Sequence, residues 1–190
     1  MPPLATSRPS PLRVTRTRDA GYINSVLSHP AIFEATRDDS CPASASAIDA
    51  ALFVNRPGYI FLKVGEVSNR ARASENRKSK IENPLGLFML EPQGRGHIVH
   101  TCLLPECRGA RAIRAGKLGV AWMFTRTPTA ALVSHCWETR PEVLWFAKRV
   151  GFEPRTFAPW PFRVNGAQIF STGVCLTRER WQHLQLKLST

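Results

Sequence analysis

The sequence predicts an α+β fold, a mixed and largely antiparallel sheet with helices on both faces, and three observations carry it. Three apolar runs follow one another, Tyr59 to Val64, Leu85 to Leu90 and His97 to Leu104, separated by polar or Gly-rich segments, as in an antiparallel meander. Helical and extended periodicities then alternate from Arg108 to Val150. Finally, Asn165-Gly166 sits between two extended segments, the signal of a tight hairpin. Neighbouring strands followed by a strand-helix-strand-helix section describe a mixed sheet covered on both sides.

Taken in order, residues 1 to 11 read as a disordered arm, because Pro2, Pro3, Pro9 and Pro11 interrupt regular pairing, and residues 12 to 190 read as one domain. Leu12 and Val14 alternate with Arg13, Thr15 and Thr17, as in a half-exposed strand. Asp19 caps a helix carrying Tyr22, Ile23, Val26 and Leu27, which Pro30 interrupts, and a second helical stretch covers Ile32 to Thr36. Residues 38 to 47 are a loop, and the turn Arg56-Pro57-Gly58 leads into the first apolar run. From Val67 to Lys80, five basic residues face the single acid Glu75 without an apolar side, which reads as a mobile basic loop. Pro92 to Gly96 is a turn between the second and third runs.

Arg108 to Thr125 reads as one helix with Ile113, Val120 and Phe124 on its apolar side, and Ala130 to Trp137 as the next strand. Thr139 and Glu142 form a capping box for a helix with the stripe Val143, Phe146, Ala147 and Val150, ending at Gly151. Two strands, around Phe152 to Val164 and Gln168 to Leu176, finish the predicted order.

Composition narrows the functional classes. The chain has 190 residues, with 26 Lys and Arg against 14 Asp and Glu, a net charge of +12 that favours a polyanionic or phosphate-bearing partner. No apolar run approaches the roughly 20 residues of a membrane span. The five cysteines are scattered, so neither a disulfide framework nor a zinc site is predicted, and a reducing cytoplasm is the expected location. The N-terminus has no apolar segment of the kind a secretory signal needs. Walker loops, nucleotide-binding glycine triplets and metal-ligand pairs are absent from the sequence.

The stretch from His97 to Ala115 is the most informative. A strand ends at Pro105, Arg108-Gly109 turns the chain, and the helix that follows carries Arg108, Arg111 and Arg114 near its start. Unpaired amides at a helix N-terminus attract anions, and acidic residues usually occupy that turn; arginines there are a local conflict that a bound phosphate would resolve.

The phrase Leu103-Leu-Pro-Glu-Cys-Arg-Gly109, followed by a helix, a strand and the ending Phe146-Ala-Lys-Arg-Val-Gly-Phe152, resembles the GNAT superfamily of acyl-CoA-dependent N-acetyltransferases. The resemblance implies that acetyl-CoA is the co-substrate and a primary amine the acceptor. The backbone of Cys102 and Leu103 would pair with the pantetheine arm, and Arg108, Gly109, Ala110, Arg111 and Ala112 would hold the pyrophosphate. Arg140 is a further candidate for a CoA phosphate. His100 is the favoured general base, because Val99-His-Thr-Cys-Leu-Leu-Pro105 looks like a strand ending of small phage-encoded members, with His97 as runner-up. Strand alternation puts these two histidines on opposite faces.

Departures from the family pattern are equally specific. Its second and third loop glycines fall near Arg111 and Ile113, with Ala110 and Ala112 partly compensating, and its general-acid tyrosine falls on Ala147, which leaves Cys136, His135 or water for that role. Two other readings stand beside the enzyme: a catalytically weakened phage assembly or interaction protein of the same fold, and a basic nucleic-acid-binding protein. Trp160, in Ala158-Pro-Trp-Pro161, is a possible wall on the acceptor side.

Overall fold

The computed structural model describes residues 11–67, 83–155 and 161–188. The predicted arm (up to residue 10), most of the basic loop and Trp160 lie outside the described residues. Nine strands and five helices are formed among them: β1 (Leu12–Thr17), α1 (Ala20–Leu27), α2 (Pro30–Thr36), β2 (Ile60–Glu66), β3 (Asn83–Gln93), β4 (Gly96–Leu103), α3 (Ala110–Arg126), β5 (Ala131–Trp137), α4 (Pro141–Val150), β6 (Glu153–Arg155), β7 (Phe162–Val164), β8 (Ala167–Ile169), β9 (Ser171–Thr177) and α5 (Arg178–Leu188).

Seven strands make one sheet in the order β1-β2-β3-β4-β5-β9-β6, and β7 pairs with β8 alone. Every neighbouring pair is antiparallel except β4 and β5. The meander of β2, β3 and β4 is formed as the apolar runs predict, because Leu62, Leu87 and Leu90 are each shielded almost completely between sheet and helices. One face packs Ile23 and Val26 of α1 and Ile32 of α2 against Phe61, Leu87 and Cys102. The other packs α3, α4 and α5 against Leu62, Val64, Phe88, Leu132 and Leu176. Helices thus cover both faces, as expected.

Local chemistry explains the elements. Asp19 accepts from the Tyr22 amide at 3.0 Å and caps α1. Pro30 starts α2 rather than only breaking α1, because its missing N–H costs nothing at a first helical position and the His29 ring accepts from the Ala31 amide at 3.2 Å. The capping box at Thr139 and Glu142 is not formed. Arg140 occupies the cap position without a side-chain bond, and Pro141 starts α4 instead. Asn165 and Gly166 both take positive φ, 52° and 76°, as a tight hairpin turn demands. Asp39 accepts from both of their amides, at 2.7 and 2.9 Å, and anchors that hairpin to the segment after α2.

The helix α5 is absent from the sequence expectation. Its first residue, Arg178, donates to the Thr127 carbonyl at 2.7 Å, to the Thr129 carbonyl at 2.8 and 3.1 Å and to the Phe124 carbonyl, joining α5 to the end of α3 and the start of β5. Trp181 lies 5.4 Å from Phe124, ring to ring.

Candidate active site

The seam between β4 and β5 positions everything else. The strands pair only at His97 with Leu132 and Ile98 with Val133, and then part. Across the opening, Ser134 donates from Oγ to the Val99 carbonyl at 2.9 Å. That contact places the Val99 carbonyl on the β5 side, and strand alternation places the backbone groups of Thr101 and Leu103 with it. Cys102 instead pairs with Leu87 of β3, and its buried thiol is pushed up to about 12 by loss of solvent. Of the two residues expected to offer their backbone to the seam, Leu103 is on the β5 side together with Thr101, and the Cys102 carbonyl lies beside Gly86 of β3.

A cleft of about 540 Å³ opens on the α1–α2 face of the seam, within the size range of small-ligand sites. Its floor holds Glu91, His100 and His135, and its walls include Phe33, Phe53, Tyr59, Trp137 and Phe162. A smaller apolar pocket of about 40 Å³ lies on the opposite face beneath α3 and α4. Val99, Thr101, Ser134 and Val143 line both, so the parted strands are where the two spaces meet.

His100 stands on the cleft side of that seam. Its Nε2 is buried without a hydrogen-bond partner, 3.6 Å from Oε2 of Glu91, while 42% of the side chain remains open. Burial holds its pKa below the usual histidine value, against the opposing pull of Glu91. The carboxylate favours the tautomer with the proton on Nε2, leaving the Nδ1 lone pair to accept. His135, on β5, is likewise held below the ordinary value by burial and by His100, and its ring meets Phe162 edge-on at 6.1 Å. His97 lies on the other face, its Nδ1 2.9 Å from the Thr129 hydroxyl, and does not line the cleft. Glu91 completes a cluster of which the sequence reading named His100 and His135. Alternation of Leu87, Met89 and Glu91 carries the signal, since Met89 lies opposite His100 in the ladder.

Lowered histidine pKa values fix a pH dependence. Burial also depresses His97, so between the unfolded value of about 6.5 and the lower folded values the unfolded chain binds more protons. Stability is then level above pH 6.5 and falls on acidification. Melting at pH 5.5 should occur at a lower temperature than at pH 7.5, with a smaller difference in His100→Ala; a higher melting temperature at pH 5.5 would contradict the assignment.

The loop after β4 turns through Cys107, whose amide donates to the Leu104 carbonyl at 2.8 Å and whose side chain is buried. Gly109 adopts φ 62° and caps α3 with no side chain, so α3 starts at Ala110 and Arg108 precedes it. The amides of Ala110, Arg111 and Ala112 belong to the helix's first turn, which intrahelical bonds leave unsatisfied. Arg108 and Arg114 are exposed beside it, whereas Arg111 is held in an ion pair with Glu66. Arg140 is 3.8 Å from Glu142 and lines the cleft. On the far side of the seam, Ala147 is buried and the Cys136 thiol is pushed up to about 11.

No protein-family profile and no curated protein sequence matches the chain. Solved structures do. A chimera of spermidine N-acetyltransferase from Vibrio cholerae superposes with a TM-score of 0.67 at 16% identity, covering 90% of this chain and 98% of that one. The spermidine N-acetyltransferase from Vibrio cholerae in complex with CoA and spermine gives a TM-score of 0.59 at 12% identity, covering 90% and 98%. A dodecameric structure of that enzyme gives 0.65 at 15% identity, covering 90% and 95%. The chain has the acetyltransferase fold. Within that fold its seven-stranded, mostly antiparallel sheet is the architecture the sequence predicts. Among the described residues, no helix of this acetyltransferase fold is long and apolar enough to cross a membrane.

Proposed function

We propose that the protein is an acyl-CoA-dependent N-acetyltransferase that acts on a primary amine. The observation that carries this reading is the parted seam, which lies between a cleft holding His100 on one face and a small apolar pocket under α3 and α4 on the other. Likeness to a fold whose solved members include an N-acetyltransferase in complex with CoA supports it.

The residues fit the co-substrate. Backbone groups of Thr101 and Leu103, left without a partner strand, would pair with the amides of the pantetheine arm, and the first turn of α3 at Ala110, Arg111 and Ala112 would hold the pyrophosphate, with Arg108 beside it. Acetyl-CoA supplies the activated acyl group. A primary amine is protonated near neutral pH and must lose a proton before it attacks; Nδ1 of His100 accepts that proton, and Glu91 steadies the imidazolium that results. Strand amides that face the seam are the groups available to stabilise an oxyanion there. Cys136 stays a neutral thiol at pH 7.

Calorimetry with acetyl-CoA tests the binding half. The double variant Arg108→Ala/Arg111→Ala should weaken the affinity roughly tenfold or more, since hydrogen bonds to charged groups contribute about 1.5–3 kcal/mol each. Unchanged affinity would remove the first turn of α3 from the site, and no binding at all would remove the co-substrate.

A further inference from the structure

The cleft differs from what a polyamine would need, and its charges identify another kind of acceptor. Three separate rims each contribute a guanidinium: Arg37 after α2, Arg56 before β2 and Arg140 before α4. Among the described residues, the carboxylates lining the same space are Asp38 and Glu91. Both are engaged within the protein. Asp38 accepts from the Ser40 amide at 2.9 Å and from the Ser40 hydroxyl, while Glu91 faces His100. Against three guanidinium groups these two carboxylates offer little to a polycation, which must place each of its ammonium groups when it leaves water.

The arginines are unequal. Arg37 lies 3.3 Å from Glu34 and Arg140 lies 3.8 Å from Glu142, so part of each charge is already neutralised. Arg56 makes no ion pair among the described residues; its Nε donates to the Leu52 carbonyl at 3.2 Å. It shares the cleft with Tyr59, Glu91 and His100, which form a polar line among the residues around it. Around that line the walls are aromatic and aliphatic.

We infer that the acceptor is a primary amine carrying a carboxylate on an apolar body, with the carboxylate held by Arg56 and the amine delivered to His100. The inference rests on the acetyltransferase reading and sharpens it by naming the acceptor class. Guanidinium is suited to this task because its planar donors match a carboxylate in a paired geometry. A net charge of +12 also lowers the local concentration of a polycation at the mouth of the cleft, whereas an amine that carries a carboxylate is a zwitterion near neutral pH and meets no such repulsion.

The test is release of free CoA thiol from acetyl-CoA by the full chain, with each apolar amino acid compared with its neutral amide and with spermidine. The acid should give the higher kcat/KM of each pair and exceed spermidine. In Arg56→Ala the KM for the acid should rise about tenfold or more, with kcat and the KM for the amide within about twofold, and Arg56→Lys should recover part of the loss. Equal use of acid and amide, preference for spermidine, or an acid-to-amide ratio that survives Arg56→Ala would each overturn the acceptor class while leaving acetyl transfer in place. Failure of acetyl-CoA to bind would overturn the underlying reading instead.

Discussion

Alanine in place of His100 should lower kcat/KM for the amine acceptor by roughly 10²- to 10⁴-fold, the range that a positioned general base contributes. The loss should fall mainly on kcat, with acetyl-CoA affinity within about twofold, because His100 sits on the cleft side of the seam while the turn proposed to hold the pyrophosphate lies at the start of α3. In the native protein, kcat/KM should drop on acidification with a midpoint below the ordinary histidine value, since burial depresses His100. The acidic limb should vanish in His100→Ala. A variant that retains both its rate and that limb would show that another group takes the proton, and His135, on the facing strand, would be the next residue to change.

Replacing Arg178 by methionine should cost about 3 kcal/mol of stability, the largest effect expected from a surface-proximal polar residue of this chain. The side chain serves three carbonyls, those of Phe124, Thr127 and Thr129, and its guanidinium lies over the Phe124 ring at 5.3 Å. Methionine preserves the stem's packing and deletes every donor, leaving the end of α3 with unpaired acceptors in a half-buried place. For a chain of this size the melting temperature should fall by about 6–12 °C. Acetyl-CoA binding measured well below the transition should be unchanged, because Arg178 lines neither the cleft nor the α3 start. A shift under about 2 °C would mean that water satisfies those carbonyls equally well.

The meander was legible because burial on both sides leaves a strand with a nearly continuous apolar run, and Leu85 to Leu90 is such a run. Helix α5 was not, since Arg178-Glu-Arg-Trp-Gln-His-Leu-Gln-Leu-Lys carries few apolar residues, and its docking depends on Trp181 and Leu184 meeting a core assembled from distant strands. At the site, the turn at Gly109 before α3 and the opposite faces of His97 and His100 follow from local rules of turn and alternation. Strand register does not. Whether Thr101 or Cys102 turns its backbone to the seam depends on which neighbour β4 pairs with on each side, and no pattern within β4 encodes that. Glu91, Tyr59 and Arg56 escaped notice for the same reason: the pairing of β3 with β4 brings Glu91 beside His100, and Arg56 and Tyr59, which precede β2, line the same cleft only in the folded sheet.

Two rungs of parallel pairing are all that join β4 to β5, so in its hydrogen bonding the seven-stranded sheet is close to being two sheets placed edge to edge. Each half has its own antiparallel ladder, and the backbone groups beyond Ile98 and Val133 give up the strand contacts that an ordinary interior position would provide. An extended ligand carrying amides would stand in for the missing strand. On that view the protein holds part of its own cohesion in reserve at the seam, and occupancy there would fasten the two halves to each other as well as capture a molecule.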